Sequence, residues 1–390
     1  MKRQAQFAGR SDPPYDRELI RSGGASGGRS RRGERGQRSR GPARQARPPR
    51  RRRRRSFLGT LRTVLIVALL VIVVGTVLVG LRAATFNASV STAGFPSTAL
   101  LGPLNGEDRV NVLMVGYGGG THPGAYLADS VQVLSIDPAT DTTTTIPVPR
   151  DLWVEGIASF SQNGKLNEVF AAGQQATDLD GAGALMAEVL SEITGLRIES
   201  WISIDFEGFR EMVDAVGGVT VDNPVAFSWT GNQEVHEAGN WDRGTFDAGE
   251  IKLDGEEALM YSRARYTSVV SESTDYARSV RQARVIGALR SKLGEGGIFS
   301  ILPGLQLMDA LEGRVRTNLS VIDLFLLSGH LSADRRIELE EDVVLTATTN
   351  TIGQYILVPV DWVGPGSYGG LRSYLERELA QPSTSPTDAP

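Results

Sequence analysis

The chain of 390 residues has no cysteine and only three histidines, His122, His236 and His330. The first absence excludes a disulfide scaffold, thiol catalysis and cysteine-ligated metal. The histidines show neither the i,i+4 nor the HExxH spacing of a zinc site, so any metal chemistry must use carboxylates. Negative charge is scarce at one end. Up to Arg62 there are twenty Lys and Arg against four Asp and Glu, a net +16, while the remainder has twenty-one against forty-one, a net -20. The formal charge of -4 conceals this division, which points to different surroundings for the two parts.

Residues 1–56 are rich in Gly, Arg, Pro and Ser and poor in apolar positions. They cannot bury enough surface to offset ordering entropy and are expected to form a disordered, basic cytoplasmic tail. From Thr63 to Leu81 runs TVLIVALLVIVVGTVLVGL, nineteen residues without a charge, about the length that crosses a bilayer as a helix. It starts too far into the chain, and is too long, for a cleaved signal. An uncleaved span over 63–81 is expected. RPPRRRRRRSF ends just before it, and flanking positive charge stays cytoplasmic, so about 300 residues are expected outside. Alone, the arginine run also suits a nucleic-acid tail. Beside a span, topology and attraction to anionic membrane lipids account for it.

Residues 83–107 are small, polar and punctuated by Gly and Pro, and read as a stalk. The outer domain is expected over 108–375, with a flexible tail over 376–390. RVNVLMVG reads as a strand buried on both faces. The following GYGGG does not complete a dinucleotide motif, because Thr121 stands where the third glycine belongs. DSVQVLSID is a second strand, and TTTTIPVPRDLWV a third that its prolines place at an edge or a strand end. Helical spacing begins near Asp178 and stops at Gly195. IESWISID is a strand and DFEGFREMVDAVGG a helix, with Asp205 as N-cap and Gly217 beyond its end. Helices are expected in DGEEALMYSRAR, in STDYARSVRQARVIGALRSKL and over 314–331, and strands in VVLTATTN and QYILVPV. This alternation predicts an α/β fold with a mixed central sheet flanked by helices.

SRARYTSVVSESTDYARSVRQAR, residues 262–284, gathers five arginines in an otherwise acidic part of the chain. On a regular helix Asp275, Arg278 and Gln282 share one face near the N-terminus, where the dipole favours an anion. Arg281 lies at the edge of that face and Arg284 points away. Arg263 and Arg265 end the preceding helix and can fold back towards it. Guanidinium forks match phosphate oxygens; the plain alternative is surface ion pairs, which are weak. Asp129 and Asp151, at neighbouring strand ends, could hold a hard divalent ion with substrate phosphates, or could simply cap turns. The intervening YTSVVSEST reads as a flap.

Seven segments occur in order: NVLMVG, ADS, IPVPRDLWV, GKLNEVFAAGQ, DFEGFREMVDAVGGVTVD, LDGEEALMYSRAR and DYARSVRQARVIGAL. Together, over roughly residues 108–300, the chain resembles the LytR-CpsA-Psr family of bacterial cell-envelope proteins. That resemblance implies a phosphotransferase which takes a glycopolymer from a polyprenyl pyrophosphate and attaches it to peptidoglycan as a phosphodiester. It implies Mg²⁺, with Mn²⁺ as alternative, at Asp129 and Asp151. Arg150, Arg263, Arg265 and Arg278 then grip the pyrophosphate, with Asp275 beside them as a catalytic residue. Lys165, Arg281 and Gln282 are implied as substrate-binding. The chain departs from the family pattern at Leu127, Ala128 and Ala277. Two other readings stay open: a non-catalytic transcriptional attenuator, although no recognition-helix pattern marks the tail for specific nucleic acid, and a polyprenyl-pyrophosphate hydrolase. The apolar segments ALMAEVLSEI and VIGALRSKL read as ordinary core, or as the walls of a lipid groove.

Overall fold

Val110–Tyr117, β1, is the apolar run that ends in GYGGG, and it lies in the middle of the main sheet. The computed structural model describes residues 57–106, 108–121, 123–229, 244–265, 267–296, 301–328, 330 and 335–381. The other strands are β2 (Ala128–Asp137), β3 (Thr142–Pro147), β4 (Trp153–Val154), β5 (Gly164–Lys165), β6 (Ile198–Asp205) and β7 (Val219–Asn223). After them come β8 (Phe227–Ser228), β9 (Thr245–Phe246), β10 (Gly249–Leu253), β11 (Val315–Thr317), β12 (Arg335–Arg336), β13 (Leu345–Thr349) and β14 (Tyr355–Pro359). The helices are α1 (Phe57–Val90), α2 (Leu166–Ala176), α3 (Leu179–Thr194), α4 (Phe206–Ala215), α5 (Gly255–Arg263), α6 (Asp275–Gly296), α7 (Ile301–Leu311), α8 (Val321–Ser328) and α9 (Gly369–Ala380). Residues 62–390 form one compact unit; of residues 1–61, the described part is the start of α1.

The main sheet has six strands in the order β11-β6-β1-β2-β3-β12. β1 pairs antiparallel with β2 and parallel with β6, so the sheet is mixed, as the α/β reading expected. Side chains alternate across β1. Leu113 and Val115 enter a core with Phe170 of α2, Met186 and Leu190 of α3, and Leu375 of α9. Val112 faces the other side, with Leu134, Leu319 and Leu327. Each fully buried Leu or Phe contributes about 1.5–3 kcal/mol, and the larger group lies under α2 and α3. A further core joins α4, α5, α6 and the β7–β10 pair through Val213, Val221, Tyr261 and Val285.

The caps read from sequence are present. Asp205 accepts from Gly208 N at 2.7 Å and Asp254 from Glu257 N at 2.9 Å; each such cap is worth about 1 kcal/mol. Gly195 and Gly217 have φ of 74° and 80°, the left-handed values that suit glycine at helix ends. β3 stops at Pro147, although it is flanked by β2 and the short β12 and is not the edge.

Three boundaries are corrected. The stalk expected over 83–107 is instead folded onto the domain. α1 continues to Val90, and Phe86 and Val90 are buried with Val315. Asn87 receives Val321 N at 2.8 Å and donates to Ala93 O at 2.8 Å, while buried Asp323 receives Leu100 N at 2.8 Å. A few well-placed anchors hold a segment whose composition looks like a linker. The helix expected over 314–331 is β11 followed by α8, because Val315 and Thr317 alternate inward to extend the sheet before Ser320 and Asp323 start the helix. The start of the tail expected over 376–390 is helical instead, since α9 runs to Ala380 with Leu371 and Leu375 buried; residues 382–390 lie outside the described residues.

Gly183 of α3 lies against the Trp201 ring of β6, and a Cβ there would stand 2.3 Å from the ring. Gly183→Val is therefore expected to destabilise the chain by about 1–3 kcal/mol through overpacking. An unchanged urea midpoint would contradict this packing of α3 on the sheet.

Candidate functional site

The site is built where β2 begins and β3 ends. Pro147 closes β3, and the turn that follows is pinned through its own backbone. Asn167 N donates to Arg150 O at 3.0 Å, and Leu357 N to Asp151 O at 3.0 Å. From this fixed turn, Arg150 Nη1 donates to Asp129 Oδ1 at 2.5 Å, and its Nε lies 3.6 Å from Asp151 Oδ2. Lys165 Nζ donates to Asp151 Oδ1 at 2.7 Å. Four of the expected residues thus form one alternating row: Asp129, Arg150, Asp151, Lys165. Their side chains are 14–29% exposed, dry enough for charges to interact more strongly than at a free surface.

Arg263, at the end of α5, stacks its guanidinium over the Phe206 ring at 4.2 Å. Burial pushes its pKa below the ordinary arginine value; Asp129 opposes this, Arg150 adds to it, and Glu256 again opposes it. Two guanidiniums therefore share the field of Asp129. A further anion would relieve their repulsion.

Asp129, Ser130, Arg263 and Gln282 also line the rim of a cavity of about 570 Å³. Its interior is apolar, with Met114 and Ile202 from the sheet, Phe209 from α4, Ile286 and Leu289 from α6, and Leu307 from α7. Gln282 ties the rim together, receiving Ser130 Oγ at 3.3 Å and donating to Ser262 O at 3.3 Å. Of the two apolar segments weighed as groove or core, VIGALRSKL lines this cavity, whereas ALMAEVLSEI packs in the core under the opposite face.

The remaining arginines separate. Arg278 lies in the first turn of α6, whose N-terminus is capped by Thr274 Oγ1 receiving Ala277 N at 3.1 Å. Arg265 follows the end of α5; both are partly buried. Asp275 opens α6, and its side chain lies outside the described residues. Arg284 turns away and donates to Tyr261 Oη at 3.4 Å.

Arg281 is corrected. Its side chain is 0% exposed and donates to Tyr261 O at 3.0 Å, Ala264 O at 2.6 Å, Glu272 O at 2.9 Å and Glu272 Oε2 at 2.7 Å. It also stacks on Phe227. It fastens the end of α5 and the following loop, and does not reach a ligand. The loop read as a flap is tied down by this residue and by Ser268 N donating to Ser228 O at 2.9 Å.

Asp205, Phe206 and Arg336 were not singled out as site residues. Asp205 was read only as a cap, yet it lines the cavity with Arg314 at 3.6 Å. Phe206 is the platform under Arg263. Arg336 donates to Ser279 Oγ of α6 at 2.7 Å from a two-residue strand that carries no sequence signal.

A divalent ion between Asp129 and Asp151 does not fit this arrangement, because Arg150 stands between them and Lys165 occupies Asp151. Among the described residues no group of three or more His, Asp or Glu could hold a metal ion. Asp129 also accepts from Arg150, through Oδ1, and lines the cavity, where phosphate oxygens would have to supply most of an ion's ligands.

A mixed sheet with helices on both faces, carrying charged side chains beside an apolar cavity, defines an α/β protein. The chain belongs to the LytR_cpsA_psr family, whose model matches residues 83–358. The Oceanobacillus iheyensis protein named polyisoprenyl-teichoic acid--peptidoglycan teichoic acid transferase TagU is 33% identical over 256 residues, 64% of this chain and 72% of its own length. The crystal structure of Bacillus subtilis TagU matches with a TM-score of 0.50 and 24% identity, over 71% of this chain and 99% of that one. An Enterococcus faecalis crystal structure described as a transcriptional regulator matches with a TM-score of 0.52 and 25% identity, over 72% of this chain and 91% of that one.

Arg281→Ala leaves Glu272 and three carbonyls without their partner. It is expected to cost on the order of 3 kcal/mol, read as a lower melting temperature. A variant of full stability that had lost only ligand affinity would contradict the structural role given to Arg281.

Proposed function

We propose that the chain is a membrane-anchored phosphotransferase that moves a glycopolymer from a polyprenyl diphosphate to peptidoglycan. The observation that carries this reading is the joining of a cationic rim and an apolar cavity in one site, which suits both halves of a lipid diphosphate. The name of the Oceanobacillus relative supports a teichoic-acid-like wall polymer as cargo. α1 carries from Leu65 an apolar stretch long enough to cross a membrane, ahead of the Phe86–Val90 part that packs on the domain. With the basic run before it, this supports a single pass with the N-terminus cytoplasmic and the α/β domain outside.

Phosphoryl transfer asks chiefly for positioning and charge stabilisation. Arg150 and Arg263, with Arg265 after the end of α5 and Arg278 in the first turn of α6, hold the diphosphate oxygens. Lys165 acts through Asp151 to keep Arg150 in place. Gln282 holds β2 and α5 at the spacing of the rim. An acceptor hydroxyl attacks the phosphorus nearer the sugar, the bond from that phosphorus to the bridging oxygen breaks, and polyprenyl phosphate leaves. Asp275, implied as catalytic by the family resemblance, is the proposed acceptor of the hydroxyl proton. Mg²⁺ or Mn²⁺ is proposed at Asp129, where it would neutralise charge on the diphosphate.

Two other readings have distinct outcomes. A hydrolase would release the same lipid phosphate with water as acceptor, and product mass with and without peptidoglycan separates the two. An attenuator, favoured by the Enterococcus description, leaves the rim and cavity without a role.

The purified full chain is expected to release polyprenyl phosphate from a pyrophosphate-linked glycan in Mg²⁺, and Arg150→Ala to lower kcat by about 100-fold or more. Equal turnover by that variant, or none by the wild type, would remove the support for transfer at this site.

A further inference from the structure

The cavity touches the helix that leaves the membrane. Phe86 of α1 forms part of its wall together with Gly304, Leu307, Met308 and Leu311 of α7, and Met308 and Leu311 pack against the Phe86 cluster. Phe86 lies five residues beyond Leu81, or about 8 Å along a helix axis. One turn closer to the membrane, on the same face, Arg82 crosses from α1 to α7. Its Nη2 donates to Asp309 Oδ1 at 2.5 Å and to Glu312 Oε2 at 2.8 Å.

α7 has the character of a movable wall. None of residues 304–311 is fully buried, and the helix is followed by Gly313 at φ 75°. Its ion pairs with Arg82 are partly exposed, with Asp309 70% exposed, and exposed pairs are weak. They can close a seam without locking it.

Resting on the lipid-linked donor and membrane anchor proposed above, we infer that the seam between α1 and α7 is the portal through which the isoprenoid tail passes from the outer leaflet into the cavity. Arg82 with Asp309 and Glu312 is its latch. The alternative entry, tail first through the charged rim, would draw the whole chain through water, at a cost that grows with its apolar area. At the seam, the cavity wall and the span are parts of one continuous helix.

The chain has no cysteine, so Arg82→Cys with Asp309→Cys in the full chain gives a unique pair. A short, reducible bifunctional thiosulfonate would bridge it in phospholipid vesicles. Two donors are compared: a long-chain polyprenyl diphosphate glycan in the bilayer and a short-chain soluble analogue. A long-chain polyprenyl phosphate with a photoreactive tail reports cavity entry independently of transfer.

The bridged form is expected to lose at least tenfold of its turnover and photolabelling with bilayer lipids, to keep the soluble donor within about twofold, and to recover on reduction. Undiminished photolabelling of the bridged form would overturn the portal. Labelling that depends on the open seam, without turnover of either donor, would uphold the portal and overturn the transferase reading instead.

Discussion

Arg150 reaches Asp129 from a turn whose backbone is held by α2 and β14, and the rest of the site depends on that reach. It brings the end of β3 against the start of β2, and places a second guanidinium in the field felt by Arg263. Asp151 and Lys165 brace it from behind. Charges so arranged are paired with one another, yet Arg150, Lys165 and Arg263 outnumber Asp129 and Asp151. Under the proposed function, an arriving diphosphate would replace repulsion with charge-assisted hydrogen bonds at little cost in reorganisation.

α6 joins this polar assembly to the apolar one. Gln282 lines the rim, Ile286 and Leu289 line the cavity further along, and Arg281 fixes the helix to α5 from its buried side. Under the proposed function, this helix would set the distance between head group and tail. The main sheet supports both, since Ser130 and Met114 lie on its cavity face while its other face is filled by α2 and α3.

Elements with strong periodicity were legible in the sequence. β1, β2, β6, α3 and α4 follow from apolar spacing and from caps such as Asp205 and Gly195. What depends on long-range pairing was not. β12 is two residues long, and β11 is a strand because β6 offers it an edge. The 83–107 segment folds back because Asn87 and Asp323 find partners far away in the chain. At the site, helical phase turned Arg284 away from the face of Gln282, and Arg284 donates to Tyr261. Phase did not show that Arg281, at the edge of that face, is sealed beneath carbonyls, nor that Arg150 separates the two aspartates. Side-chain reach decides both, and sequence spacing does not encode it.

The central claim is that one site reads head group and tail together, and a set of binding constants tests it most directly. Affinities of the full chain in detergent would be compared for a prenyl diphosphate, the matching prenyl monophosphate and a diphosphate without a chain, each with wild type and with Arg263→Ala. The account predicts that the prenyl diphosphate binds most tightly to the wild type, and that Arg263→Ala loses the preference for two phosphates while keeping the preference for a chain. Equal affinity for the diphosphate with and without its chain, or a preference for two phosphates that survives Arg263→Ala, would contradict it.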